Sequence, residues 1–283
     1  MRDASLRTVR LADGAQVPCL GQGTWRMAED SSRRAEEIAS LRAGIERGMT
    51  LIDTAEMYAD GASEILVGEA IAGLRDKVTL VTKALPSHAG RNELASACRA
   101  SLKRLKVARI DVYLLHWRGG TPLAETIEAF ERLRADGLIA SWGVSNFDVD
   151  DLEEMAGIAR ASGCVTNQIL YNLDYRGIEL DLLPYAEARA IPPMAYSPVG
   201  QGGSLLRSET LAAVAREHDA TPAQVALAWT LRLPNVIAIP KAGTVAHVHE
   251  NADAGSLRLN DDDLMRLDRA FPPPTTRQPL AML

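Results

Sequence analysis

Four residues of this 283-residue chain have the types for joint acid–base work: Asp53, Tyr58, Lys83 and His116. A phenol has a pKa near ~10 in water, so at neutral pH it keeps its proton unless a nearby ammonium stabilises the phenolate. Lys83 would supply that ammonium. Asp53 would keep Lys83 charged and fix its direction, and His116 would donate a hydrogen bond to a substrate carbonyl. The chemistry this set suggests is proton transfer at a carbonyl oxygen.

Such a set works only if the fold brings it together. Asp53 closes the apolar run Met49-Thr50-Leu51-Ile52, Lys83 closes Val78-Thr79-Leu80-Val81-Thr82, and His116 closes Ile110-Asp111-Val112-Tyr113-Leu114-Leu115. Short runs rich in Val, Ile and Leu, separated by helical patterns, read as buried parallel strands joined by crossover helices. The three polar residues then share the carboxyl end of one sheet, where active sites collect. Tyr58 lies on the loop leaving that end. Polar residues that end later strands, Ser145, Gln168, Tyr196 and Pro240, continue the series at intervals of roughly thirty residues, the length of one strand, one helix and two loops. With a strand over residues 19–25 this makes eight, and the period predicts a (β/α)8 TIM barrel as one domain spanning residues 1–283.

The other elements fit that frame. Residues 7–18 alternate around Asp13-Gly14 and read as a β-hairpin plugging the bottom of the barrel. Gly21-x-Gly23 lacks the third glycine of a dinucleotide fingerprint, because Arg26 stands there. Helices are predicted over residues 33–47, 92–105, 123–136, 149–161, 181–190, 208–218 and 222–233, the last with Thr221 as N-cap and Pro222 in its first turn. A further C-terminal helix starts near Asn260, whose following carboxylates suit a helix N-terminus. Pro272-Pro273-Pro274 ends regular structure.

Composition bounds the function. Hydrophobic residues make up 47% and charged residues 24%, and mean hydropathy is -0.07, which permits a large core. A net charge of -6, with no basic cluster, argues against nucleic acid or an anionic membrane as partner. The charged start, with no signal-peptide core, and the lack of a membrane-length apolar run make the cytoplasm the expected compartment. Cys19, Cys98 and Cys164 are odd in number, widely spaced and read as reduced, buried thiols. No metal is expected: the cysteines lack ligand spacing, and His247 and His249, at i and i+2 of a helix, face apart.

The motifs Ile52-Asp53-Thr54-Ala55-x-x-Tyr58, Lys83, Leu114-Leu115-His116-Trp117, Gly143-Val144-Ser145-Asn146-Phe147, Asn167-Gln168, Ala195-Tyr196-Ser197-Pro198 and Ile239-Pro240-Lys241-Ala242 occur in this order and spacing. Together they make the chain resemble the aldo-keto reductases over nearly its whole length. The resemblance implies NADPH lying across the carboxyl face of the barrel, Tyr58 as general acid, Lys83 and Asp53 tuning it, and His116 orienting the carbonyl. It implies that Ser145, Asn146 and Gln168 hold the nicotinamide carboxamide, that Tyr196 stacks on the ring, and that the backbone of Ser197, Val199 and Gln201 meets the pyrophosphate. Thr24, Trp25 and Asp53 would flank the nicotinamide end. Ile239 and the segment Lys241, Ala242, Gly243, Thr244, His247, Glu250 and Asn251 would hold the adenosine 2'-phosphate, consistent with phosphate sites after strands seven and eight of barrels. Ala242 stands where a serine is frequent and His247 where an arginine is frequent. That loss of a planar cation leaves NADH as an alternative cofactor, with Lys241 favouring NADPH.

Taken singly, Lys83–Asp53 reads equally well as a buried structural ion pair and His116 as a core histidine. Their arrival at successive strand ends beside Tyr58 favours the catalytic reading. Trp25 and Trp117 follow strand ends and are expected as substrate-pocket walls with Tyr58 and His116, whereas Trp142 and Trp229 are expected in packing. The substrate expected is a small aldehyde or ketone, with a pattern similar to bacterial reductases of 2-oxoaldehydes such as methylglyoxal. Short loops at Arg118-Gly119-Gly120-Thr121 and Gly200-Gln201-Gly202-Gly203, with residues 272–283 as the tail, predict an open, lightly walled site. A monomer without an obligate protein partner is expected. A polyol or sugar dehydrogenase, and a non-catalytic cofactor-binding subunit resembling potassium-channel β subunits, stand as alternatives.

Overall fold

The apolar runs that precede the polar strand-end residues do pair, in parallel and in sequence order. The computed structural model describes residues 6–283, so the charged start at residues 1–5 lies outside the described residues. Strands β3 (Gln22–Gly23), β4 (Leu51–Asp53), β5 (Thr79–Ala84), β6 (Ile110–Leu115), β7 (Ile139–Ser145), β8 (Cys164–Leu170), β9 (Pro193–Tyr196) and β10 (Ile237–Ala238) form one eight-stranded sheet, each bonded to the next. The sheet closes on itself. Gly21 N–H donates to Ala238 O at 2.8 Å, Ala238 N–H to Cys19 O at 2.8 Å, and Gly23 N–H to Pro240 O at 3.0 Å.

Close packing of β3 against its two neighbouring strands explains the two glycines that mimic a nucleotide fingerprint. A Cβ on Gly21 would stand 2.8 Å from Leu51 O, and one on Gly23 would stand 2.7 Å from Ile239 O. Gly23 serves backbone approach across the seam, and Gly21 the close approach to β4 on the other side of β3.

Side-chain alternation then decides what faces inward. Leu51, Val81, Val112 and Leu114 belong to the core inside the barrel, whereas Ile52, Leu80, Tyr113 and Leu115 belong to the core between barrel and helices. With a period of two, Asp53 shares the face of Leu51, Lys83 that of Val81, and His116 that of Val112 and Leu114. Parity therefore aims all three into the barrel mouth.

The helices wrap the outside: α1 (Arg34–Glu46), α2 (Ala62–Ala70), α3 (Arg91–Leu105), α4 (Leu123–Ala135), α5 (Val149–Ala156), α6 (Leu182–Ala188), α7 (Glu209–Glu217), α8 (Pro222–Thr230), α9 (Val245–Ala254) and α10 (Asp261–Ala270). Most end within a few residues of expectation. Helix α5 is the exception, stopping before Gly157 rather than at residue 161. Its N-terminus carries a reciprocal Asp148–Asp151 capping box, but glycine lacks the propensity to carry the helix on, and Arg160 turns with φ 71°. Helix α2 has no counterpart among the predicted helices. It is buried on several sides, through Ser63, Glu64, Leu66, Val67, Gly68 and Ala70, so no polar stripe marks it. Thr221 and Pro222 do open α8, in a capping box with Gln224. Asn260 caps α10 in the same manner with Asp263.

The hairpin of β1 (Thr8–Arg10) and β2 (Gln16–Pro18) closes the opposite end. Val9, Leu11 and Val17 join the inner core. Its turn is tied to the amino ends of β7 and β8, by Ala12 N–H to Val165 O at 3.4 Å and by the Ser141 hydroxyl to Asp13. The three cysteines are free and buried. Trp142 and Trp229 are fully buried, as packing residues should be. Among the described residues no helix is long and apolar enough to cross a membrane.

Candidate active site

Lys83 is fully buried, and a buried ammonium needs partners for all its protons. It has three: Asp53 Oδ2 at 2.8 Å, Thr54 O at 2.8 Å and Tyr58 Oη at 3.1 Å. The other Asp53 oxygen accepts from Gln168 Nε2 at 2.7 Å. Burial works against the ammonium, and the Asp53 carboxylate and Tyr58 oxygen outweigh it, leaving the lysine above its ordinary pKa. The amine is a fixed cation beneath the phenol.

Tyr58 is held by a strained loop. Ala59, Asp60 and Gly61 follow it with φ of 47°, 51° and 86°. Two of the three are not glycine, and left-handed backbone costs such residues roughly 1–2 kcal/mol each. Hydroxyls behind the loop secure it: Thr24 donates to Asp53 O at 3.0 Å, Ser63 donates to Thr24 at 2.9 Å, and Thr54 meets Ser63 at 3.2 Å. The phenol differs from expectation in one respect. Lys83 does pull its pKa down, but burial is the larger effect and the net direction is upward. Tyr58 therefore rests as a protonated phenol.

The His116 ring lies edge-on to Tyr58, with centroids 5.8 Å apart, and against Trp117 at 4.9 Å. Burial first, and then the Lys83 charge, drive its pKa down to about 2. The imidazole is neutral across the working pH range and carries one N–H to donate. Its Nδ1 is buried without a protein partner among the described residues.

These groups sit at one end of a cavity of about 880 Å³, near the upper end of ligand pockets at roughly 300–1,000 Å³. Thr24, Trp25, Asp53, Tyr58, His116 and Trp117 line the tetrad end; Ser145, Asn146, Gln168 and Tyr196 line the floor. The floor is pre-bonded. Tyr196 Oη donates to Asn146 Oδ1 at 3.0 Å, Asn146 Nδ2 donates to His116 O at 3.1 Å, and Ser145 Oγ donates to Gln168 O at 2.8 Å. Asn146 is held at φ 58° to do so. Ser197, Val199 and Gln201 continue the wall, and Ile239, Lys241, His247, Glu250 and Asn251 complete the far end. Gly200 and Gly202, at φ 60° and 72°, let the loop after β9 present backbone to the cavity.

Three expected contacts are not on the wall. Ala242 is buried and its carbonyl accepts from Ser40 Oγ at 3.1 Å; Gly243 O accepts from Arg33 at 3.3 Å; Thr244 caps α9, accepting the His247 N–H at 3.3 Å. They shape the segment that carries Lys241 and His247. His249 points elsewhere, its Nδ1 3.1 Å from Arg47, so the two histidines do face apart.

Other lining residues carry no local signal. Thr221, Pro222 and Ala223, at the start of α8, face the cavity as well as capping it, and Arg26, Met57 and Leu206 add to the rim. Met282 and Leu283 also line it, with the Leu283 backbone bearing on the Tyr196 hydroxyl. The site is thus more walled than its short loops suggest, because the tail returns across the mouth.

The arrangement fits an elongated anionic cofactor. A neutral, hydrogen-bonding floor lies beside the Tyr58 phenol, a glycine-relaxed backbone follows, and a lysine stands at the far end. The family profile of the aldo/keto reductases matches residues 19–271. Methylglyoxal reductase YeaE of Escherichia coli is 47% identical over 281 residues, covering 98% of this chain and 99% of the relative. Glyoxal reductase of Bacillus subtilis is 32% identical over 262 residues, covering 92% and 91%. The crystal structure of an aldo/keto reductase from Klebsiella pneumoniae in complex with NADP and acetate superposes with a TM-score of 0.96 at 48% identity, covering 98% of this chain and 100% of that one. On profile, sequence and structure alike, the chain belongs to the aldo/keto reductase family.

Proposed function

We propose that this single barrel domain is an NADPH-dependent reductase of small aldehydes and 2-oxoaldehydes, methylglyoxal among them, with Tyr58 as the proton donor. The observation that carries the reading is the Tyr58 phenol 3.1 Å from a lysine that Asp53 and Thr54 hold charged. Bound NADPH supplies the hydride that reduces the carbonyl carbon. Tyr58 gives its proton to the carbonyl oxygen as negative charge develops there. The phenolate left behind faces the Lys83 ammonium, so the charge is met by a group already in place. His116, neutral, orients the carbonyl by donating its single N–H, and Trp25 and Trp117 flank the substrate.

Within this reading Ser145, Asn146 and Gln168 take the carboxamide, Tyr196 the nicotinamide face, Ser197, Val199 and Gln201 the pyrophosphate, and Lys241 with His247, Glu250 and Asn251 the adenosine end. The 2-oxoaldehyde substrate is supported by the relatives named methylglyoxal reductase and glyoxal reductase. The protein would act as a cytoplasmic monomer, needing no membrane, nucleic acid or protein partner. The test is cofactor oxidation with methylglyoxal and an aromatic aldehyde, with NADPH and NADH in parallel, in the wild type and in Tyr58→Phe. Turnover that prefers NADPH and falls by roughly 10²–10⁴ in the variant, with NADPH binding kept, is expected. Undiminished turnover in Tyr58→Phe would remove the phenol from the mechanism.

A further inference from the structure

The segment after β10 has a second cation beside Lys241, and it comes from the other end of the chain. Residues Ser31–Arg33 form a tight turn leading into α1, capped by Asp30, which accepts from Ser32 N–H at 2.9 Å and from Ser32 Oγ at 2.7 Å. From this turn the Arg33 guanidinium reaches across to Gly243, donating to its carbonyl at 3.3 Å. Ser40, about two turns further along α1, ties the neighbouring Ala242 carbonyl at 3.1 Å. Helix α1 and the Lys241 segment are thus held in a set relation.

A Cβ built on Gly243 would lie 2.8 Å from an Arg33 nitrogen and 3.1 Å from Lys241 Nζ. The two cations therefore flank the same face of Gly243, no farther apart than the sum of those distances. Each feels the other, for Arg33 opposes protonation of Lys241, in the direction burial already pushes. Nearby acids offset part of this repulsion, Glu37 foremost. Glu37, which also accepts the Ala28 N–H at 2.9 Å, favours the Lys241 ammonium more than Arg33 opposes it but makes no ion pair with Arg33, and Glu36 stands 3.6 Å from Arg33 Nε in a largely exposed pair, of the kind worth little. Glu29 also bears on Lys241, and is matched by Arg26. Like charges held close in the free protein are relieved by an anion between them. Charge-assisted N–H···O bonds are about 2.7–2.9 Å long, so the oxygens of one phosphate can span this gap.

We infer that Arg33, together with Lys241, binds the 2'-phosphate of NADPH and sets the preference for NADPH over NADH. The inference rests on the cofactor reading above, and it assigns the planar cation that position 247 does not provide to a residue on α1's opening turn. A guanidinium suits the task, since its fork matches two oxygens of a phosphate at once. Gly243 is part of the device: a side chain there would displace Arg33 from its carbonyl.

Binding of adenosine 2',5'-bisphosphate and of 5'-AMP to the wild type, Arg33→Ala and Arg33→Lys tests this without turnover. Calorimetry or quenching of tryptophan fluorescence reads both ligands. Arg33→Ala is expected to weaken the bisphosphate by about tenfold or more, the loss of a charge-assisted contact, and to leave 5'-AMP within about twofold. Arg33→Lys, which keeps the charge and loses the fork, falls between. An equal loss on both ligands, or no loss on either, would overturn the inference, the first by making Arg33 a structural residue. If the wild type itself binds the two ligands equally, the NADPH reading fails first and the Arg33 assignment falls with it.

Discussion

Replacing Lys83 by methionine tests how the fold would prepare the Tyr58 phenol to give up its proton. The side chain keeps most of its length and loses only the ammonium, so Tyr58 and Asp53 lose a partner at 3.1 and 2.8 Å. Before reaction the phenol is neutral and misses one hydrogen bond. After proton transfer it is an anion, and the missing charge at 3.1 Å is worth about 5 kcal/mol at an effective dielectric constant of ~20. Only the difference between these states enters the barrier, so the chemical step should slow by roughly 10³-fold. Removing one member of a buried pair also costs about 3–5 kcal/mol of stability, so thermal melting must first show the variant folded at the assay temperature. Single-turnover reduction of methylglyoxal, with NADPH prebound, then isolates the step from cofactor release. A folded, NADPH-binding variant that loses less than about tenfold would refute the electrostatic account of Lys83.

Three further outcomes follow from burial and packing. Because His116 is held neutral down to about pH 2, reductase rates should show no inflection from an imidazole between pH 5 and 8; a break near the ordinary histidine value that disappears in His116→Gln would contradict this. The same depression has a sign in stability. As pH falls below the ordinary value of 6.5, the unfolded chain takes up a proton that the folded chain refuses, so His116 lowers stability progressively on the acid side and is without effect above it; urea titrations of the wild type and His116→Gln across that window measure it. Gly23→Ala would set a methyl 2.7 Å from the Ile239 carbonyl at the barrel seam, where backbone cannot swing aside, and should cost about 1–3 kcal/mol, read as a lower urea midpoint.

Much of the site is legible in the amino-acid sequence. Runs such as Thr79 to Thr82 encode strands through their residue types, and period-two alternation carries Asp53, Lys83 and His116 to the inner face once their strands are parallel. Tyr58 was within reach because its loop is short. Helix α2 was not legible, since burial on several sides removes the polar stripe that a periodicity search needs. Nor was the role of Gly21 and Gly23, for the pattern looks alike whether glycine admits a pyrophosphate or a neighbouring strand.

The sequence by itself determined the barrel, the order of its strands and the arrival of Asp53, Lys83 and His116 at its carboxyl end. Those are consequences of local period and of chain direction, which repeat within each strand–helix unit. The tertiary structure decided what depends on segments far apart in the chain: the placement of Arg33 beside Gly243 and Lys241, and the return of Met282 and Leu283 over the cavity. It also decided the protonation of the site. The Lys83 charge lowers the phenol's pKa, but how much water is excluded around Tyr58 and His116 is a property of the packed molecule, and that exclusion leaves one a neutral acid and the other a neutral donor.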